Sequence, residues 1–251
     1  MLFGSSLLKS ILGLDGDAKA PDTSNTVSFP ANPKVPRKYE PHRDAIQRHI
    51  DLDLKFDIAE KTVAGTATLV FELKNNDLQE IEIDAKEMRV TKVSLAVVQD
   101  PASQAQQIFS EEFTYAGKHD LDYIHCDDKL NVKGIAEHLK AIRKTNFFAL
   151  TIHYSLRNPR AGLYFINTDD FPWVSTPCIW TQGQDVDASF WFPCQDDPRL
   201  KVTTRIKLDT PRDWLTESNG EKIGKNCWVM KSPHARADSS YKKANRKLAF
   251  L

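Results

Sequence analysis

Three observations predict an all-β fold for this 251-residue chain, a saddle-like antiparallel β-sandwich with short helical insertions. Apolar residues alternate with polar ones over many short runs, polar turn residues separate the runs, and helical periodicity is scarce. Hydrophobic content of 41% supplies a core of ordinary size, while equal numbers of Lys+Arg and Asp+Glu, 34 each, leave the chain neutral. Overall charge therefore recruits neither nucleic acid nor an anionic membrane, and no nucleic-acid partner is expected. No apolar run approaches the roughly 20 residues of a membrane span.

Taken in order, the first 45 residues are expected to form a flexible arm. Pro21, Pro30, Pro33, Pro36 and Pro41 lie among Asp, Asn, Ser and Thr, a composition without core-forming capacity. Ala18-Lys19-Ala20 imitates a signal-peptidase site, but Lys9 interrupts the apolar stretch and Asp15 and Asp17 precede the cut. The ordered domain is expected over 46–230. Ile50, Leu52, Leu54 and Phe56 alternate with Asp51, Asp53, Lys55 and Asp57, marking a strand with one wet face. After a polar turn at Ala59–Lys61, Val63 to Leu73 repeat the pattern, so the two runs predict an antiparallel hairpin. Gly65 and Ala67 predict close approach by a neighbouring layer.

Further strands are expected around Ile81 and Ile83, over Val90–Val98, from Leu121 to His125, and at Leu130 and Val132. Residues 134–144 place Ile135, Leu139 and Ile142 on one side of a short helix. The strongest alternation follows at Phe148, Leu150, Ile152, Tyr154 and Leu156, and a last run covers Val202 to Leu208. The tail, 231–251, carries six basic residues against one acidic, a net of +5, and reads as a divergent basic extension.

Chemistry is sparse along the chain. The seven histidines include no HExxH pair, and His125-Cys126-Asp127-Asp128 is a poor ligand cluster because neighbouring strand residues face opposite sides. No catalytic residue, metal ligand or cofactor is expected. Cys126, Cys178, Cys194 and Cys227 are scattered without a CxxC pair, which fits reduced thiols in a cytoplasmic protein. Cys194, between proline and glutamine, reads as a packing residue, and Asp196-Asp197 as a turn with diverging carboxylates.

One window stands out. Trp180 to Lys201, WTQGQDVDASFWFPCQDDPRLK, sets Gln182, Gln184 and Gln195 among Trp180, Phe190, Trp191 and Phe192. It predicts a semi-buried corner, anchored by its aromatics, with its amides facing a cleft. Gln182 and Gln184, two apart in an extended segment, would project from one face and either bind a ligand or brace a strand edge.

These motifs resemble a family. Gly162-Leu163-Tyr164-Phe165, Trp180-Thr181-Gln182-Gly183-Gln184, Phe192-Pro193-Cys194-Gln195-Asp196-Asp197-Pro198 with Lys201, and Ser218-Asn219-Gly220 are similar, in order, to the N-terminal domain of the zinc aminopeptidases, relatives of aminopeptidase N and the leukotriene hydrolases. The resemblance spans about Arg43 to Ala235. It implies a β domain covering one side of an active site, with Gln182 and Gln184 as substrate-binding residues that hold the free amine of a peptide N-terminus. Gln184 stands where many members carry Glu, so a charge-assisted contact becomes a neutral one of about half the strength. The family's zinc belongs to a catalytic domain whose HExxH, G-[AG]-M-E-N and tyrosine signatures are absent from this sequence. The chain is thus expected to be inactive alone, truncated before that domain, with a non-catalytic peptide- or protein-binding module and a catalytic half supplied in trans as alternatives. The family's next apolar strand is also expected to be missing, replaced by the basic tail, either read out of frame or simply divergent.

Overall fold

The computed structural model describes residues 43–98, 115–140, 146–167, 170–174, 176–230 and 247–250. The expected N-terminal arm lies almost wholly outside the described residues, as does Ile142 of the expected helix. All described strands belong to one compact unit, Tyr39–Leu251.

The fold is all-β. Its central sheet grows from β1 (Ala45–Asp57) and β2 (Thr62–Leu73), the predicted hairpin, paired from Ala45 with Leu73 to Asp57 with Thr62. Leu52, Leu54, Val63, Ala67, Leu69 and Phe71 are buried, while Asp53, Lys55 and Asp57 stay exposed. A β-carbon on Gly65 would stand 2.0 Å from the Asp53 carbonyl oxygen, so the close approach comes from the paired strand and not from a neighbouring layer.

Around this hairpin, β8 (Phe147–Arg157) pairs with β2, β4 (Met88–Val98) with β8, and β5 (Tyr115–Asp120) with β4. On the other flank lie β11 (Thr203–Asp209), β14 (Cys227–Met230) and β13 (Glu221–Gly224), giving eight strands in the order β13-β14-β11-β1-β2-β8-β4-β5. A three-stranded sheet, β3-β7-β6, is built from β3 (Glu80–Asp84), β6 (Tyr123–Cys126) and β7 (Lys129–Lys133). Helix α1 is short, Ile135–Lys140, with Ile135 in the core. The third sheet, in the order β12-β15-β10-β9, contains β9 (Leu163–Ile166), β10 (Cys178–Thr181), β12 (Trp214–Glu217) and β15 (Lys247–Phe250). One hydrophobic cluster includes side chains from all three sheets: Leu54, Phe71 and Leu150 from the first, Ile83 and Leu130 from the second, Ile179 and Trp214 from the third.

Two expectations need correction. The sheets are not purely antiparallel: β1 pairs with β11 in parallel, and β15 lies parallel to both β10 and β12. Distant segments meet edge to edge here, and nothing in a local alternation fixes direction. The basic tail also supplies a strand where none was expected. Lys247–Phe250 sits inside the third sheet, because ladder bonding uses backbone groups that a basic flank does not remove.

A buried histidine makes the β1–β11 seam sensitive to acid. His49 is 4% exposed and its Nδ1 lies 2.7 Å from Thr203 Oγ1. Burial, and secondarily the Arg205 guanidinium, pushes its pKa down to about 3. The unfolded chain therefore takes up a proton below the ordinary histidine value of about 6.5 that the folded chain refuses. This stability is complete above pH 6.5 and is lost as pH falls towards 3, by about 1.4 kcal/mol per pH unit. Urea midpoints should drop between pH 7 and pH 5 in the natural chain, and His49→Gln should flatten that slope.

Candidate functional site

The corner is assembled on the β9–β10 hairpin. Leu163, Phe165 and Ile179 turn into the core. On the opposite face Tyr164 stands directly across from Trp180, and their rings stack at 4.8 Å. Trp180 remains 37% exposed despite this stack. In the connecting segment Phe171 packs edge-on against Trp173, whose side is 79% exposed. Two exposed aromatic elements thus occupy one hairpin and its loop.

Strand β10 ends at Thr181. Gln182 follows it and donates its backbone N–H to the Gly162 carbonyl at 2.9 Å. Gln184 opens a turn, Gln184–Asp187, and precedes a cis peptide bond to Asp185. Both glutamines are exposed, but the extended geometry that would aim them from one face stops before Gln182. The turn is held by Lys86 Nζ, which donates to the Val186 carbonyl at 2.9 Å, and by the Asp187 N–H, which donates to Gly183 at 3.2 Å. Gly162, at φ +76°, lets Asp187 approach: a β-carbon there would meet its carbonyl oxygen at 2.2 Å.

Behind the turn the aromatic anchors behave as expected. Phe190, Trp191, Phe192 and Cys194 are buried, and Lys86 and Arg160 lie over the Phe190 ring at 4.7 and 5.1 Å. Tyr154 Oη donates to the Trp191 carbonyl at 2.9 Å. The Cys194 thiol is pushed well above its ordinary pKa, first by burial and then by Asp196 and Asp84, so it is a packing group and not a thiolate. The adjacent carboxylates diverge. Asp196 accepts from the Ser189 N–H, while Asp197 accepts from Arg199 and faces Arg43, and the Arg199 hydrogen bonds bring Asp197 down to about 2.

Gln195 departs from the sequence reading. It does not face a cleft but turns inward, where it and Gln47 bond each other reciprocally: Gln47 N–H to Gln195 Oε1 at 3.0 Å, and Gln195 N–H to Gln47 Oε1 at 2.8 Å. Gln195 Nε2 completes the brace at the Ala45 carbonyl. This lock between the corner and the central sheet escaped sequence reasoning. Its only trace was the unusual amide among aromatics.

The described residues do not fit a zinc site. No three His, Cys, Asp or Glu side chains come together among them. His125 and Cys126 diverge, His125 Nε2 meeting the Ala85 carbonyl while Cys126 is exposed. No described helix is long and apolar enough to cross a membrane.

With this geometry established, comparison places the chain among known proteins. The Peptidase M1 N-terminal domain matches residues 35–229. Transcription initiation factor TFIID subunit 2 of Drosophila melanogaster is 21% identical over 183 residues, covering 65% of this chain and 15% of that protein. Its Saccharomyces cerevisiae counterpart is 23% identical over 229 residues, covering 71% and 16%. Aminopeptidase M1 of Arabidopsis thaliana is 21% identical over 217 residues, covering 85% and 22%. Among solved structures, yeast LTA4 hydrolase in complex with bestatin superposes with a TM-score of 0.52 at 17% identity, over 74% of this chain and 26% of that one. That likeness concerns the fold. The chain thus spans under a quarter of each of these three curated relatives. It belongs to the peptidase M1 family through that family's N-terminal domain.

Proposed function

We propose that this chain is a recognition and scaffolding domain that holds polypeptide and does not cut it. The observation that carries the reading is the set of exposed aromatics on the β9–β10 hairpin and its loop, Trp180, Phe171 and Trp173, with the exposed neutral amides Gln182 and Gln184 following β10. Exposed aromatics of this kind supply contact area at low entropic cost and are enriched where proteins dock. The similarity to TFIID subunit 2 of two organisms supports a role as a subunit that binds other polypeptides. The unpaired thiols Cys126, Cys178, Cys194 and Cys227 support a cytoplasmic, reducing setting.

A second reading rests on the similarity to Aminopeptidase M1 and on the position of Gln182 and Gln184. In that reading the domain is the substrate-binding N-terminal part of a zinc aminopeptidase, and its amides receive a peptide N-terminus. A neutral amide at Gln184 gives an ammonium a weaker partner than a carboxylate would.

One titration separates the two. Peptides with free and with acetylated N-termini are added while tryptophan fluorescence is followed. The scaffolding reading expects binding that is indifferent to acetylation and falls at least about tenfold in Trp173→Ala with Trp180→Ala, the size of a truncated aromatic anchor. The amine reading expects acetylation to abolish binding and Gln184→Glu to tighten it by about tenfold. Turnover of an amino-acid anilide by the purified chain with added zinc would defeat both.

A further inference from the structure

The face of the eight-stranded sheet turned away from the main core carries a separate feature. Consecutive register partners Arg205, Asp51, Thr68, Thr151, Ser94 and Asp120 run across it as one polar row. Most of the row is satisfied internally. Arg205 pairs with Asp51 at 2.8 Å, Thr68 Oγ1 meets Thr151 Oγ1 at 3.1 Å, and Asp120 pairs with Lys92 at 2.8 Å. Ser94 is 1% exposed and its Oγ has no hydrogen-bond partner; Arg205 Nε is likewise unpaired, but that guanidinium is already engaged by Asp51 through Nη1. A buried hydroxyl left unpaired is costly, so a native protein retains one chiefly where something else completes it.

Ser94 lines a hollow of about 350 Å³ together with Ala96, Gly117, Lys118 and Thr151. A single water occupies roughly 30 Å³, so the space exceeds what one solvent molecule fills. Its polar groups are donors in excess. Lys118 forms no ion pair among the described residues, and the Thr68–Thr151 bond uses only one of two hydroxyl hydrogens. Positive charge gathers on the same face. The His153 imidazole is held below its ordinary pKa chiefly by burial, then by the ammonium groups of Lys118 and Lys92, while Asp120, the opposing carboxylate among the described residues, is engaged by Lys92. Gly117, at φ +67°, brings backbone to the rim without a side chain to close it.

We propose that this hollow binds a tetrahedral oxyanion, inorganic phosphate or a phosphoryl ester, through Ser94 Oγ, Thr151 Oγ1 and Lys118 Nζ. Several acceptor oxygens on one charged group match hydroxyl donors and an ammonium converging on one space, and the carbon of an ester would lie along Ala96 and Gly117.

The test uses the full chain, ¹⁵N-labelled, titrated separately with inorganic phosphate and with an O-phosphoserine peptide. Saturable shifts are expected at the amides of Ser94, Gly117, Lys118 and Thr151. Lys118→Met should weaken binding about tenfold or more, the loss of one charge-assisted contact, and Lys55→Met on a distant row should change nothing. Ser94→Ala should also weaken binding while melting no lower than the natural chain without phosphate, since it deletes an unpaired buried group. Tighter binding of the peptide assigns the site to phosphoryl esters, and tighter binding of phosphate assigns it to the free ion. Absence of saturation below about 10 mM for both ligands, or natural affinity in Lys118→Met, overturns the proposal.

Discussion

Gln195→Ala is expected to destabilise the domain by about 3 kcal/mol or more, because each buried polar group left unpaired costs about 1–3 kcal/mol. The substitution strands the Gln47 N–H and the Ala45 carbonyl together, both within the buried start of β1. Neither group has water to turn to, since Ala45 and Gln47 are only 2% and 1% exposed. Urea denaturation should show the midpoint falling with little change in slope. The reciprocal geometry makes a second demand. Gln47→Leu alone should also destabilise, yet the Gln47→Leu, Gln195→Leu pair should cost less than the sum of the single changes by about 1 kcal/mol or more, as directly bonded partners do. Strict additivity would mean that the two amides do not act as one brace.

Gly162→Ala is expected to cost about 3 kcal/mol or more, combining about 1–2 kcal/mol of left-handed backbone strain with an overlap that neither partner can relieve easily. The new β-carbon would stand 2.2 Å from the Asp187 carbonyl oxygen, which is backbone and cannot swing aside like a side chain. Gly134 provides the control. It shares φ +76°, but a β-carbon there meets nothing within 4 Å, so Gly134→Ala should show the strain alone. The difference between the two melting temperatures measures the clash. Gly162→Ala should also alter near-ultraviolet ellipticity, because displacing the Gln184–Asp187 turn disturbs the Trp180–Tyr164 stack beside it. Equal effects of the two substitutions would refute the close approach.

Local chemistry wrote much of this fold plainly into the chain. The alternation Ile50 to Phe56 and Val63 to Leu73 became β1 and β2, and Phe148 to Leu156 became β8, because a sheet with one dry face imposes a two-residue period. The aromatic anchors Phe190, Trp191 and Phe192 were legible as buried, since large apolar rings beside prolines have few other places to go. Strand β5 was not legible: Gly117, Lys118, His119 and Asp120 carry no apolar alternation that would mark a strand. The inward turn of Gln195 and the burial of His49 were equally silent, because both depend on partners roughly 150 residues away, Gln47 and Thr203. At the candidate site the exposure of Trp173 and Trp180 was invisible for a related reason. A tryptophan's burial is decided by what other strands leave uncovered.

The parallel β1–β11 seam also sets a timetable for the nascent chain. His49 leaves the ribosome 154 residues before Thr203, the residue it will lie beside. At about 5–20 residues per second that interval is roughly 8–30 s, during which the flank of β1 has no neighbour to occupy it. Until then that flank of β1 is an open edge, and its alternating charged residues, Asp51, Asp53, Lys55 and Asp57, are of the kind that keep such edges from joining those of other newly made chains.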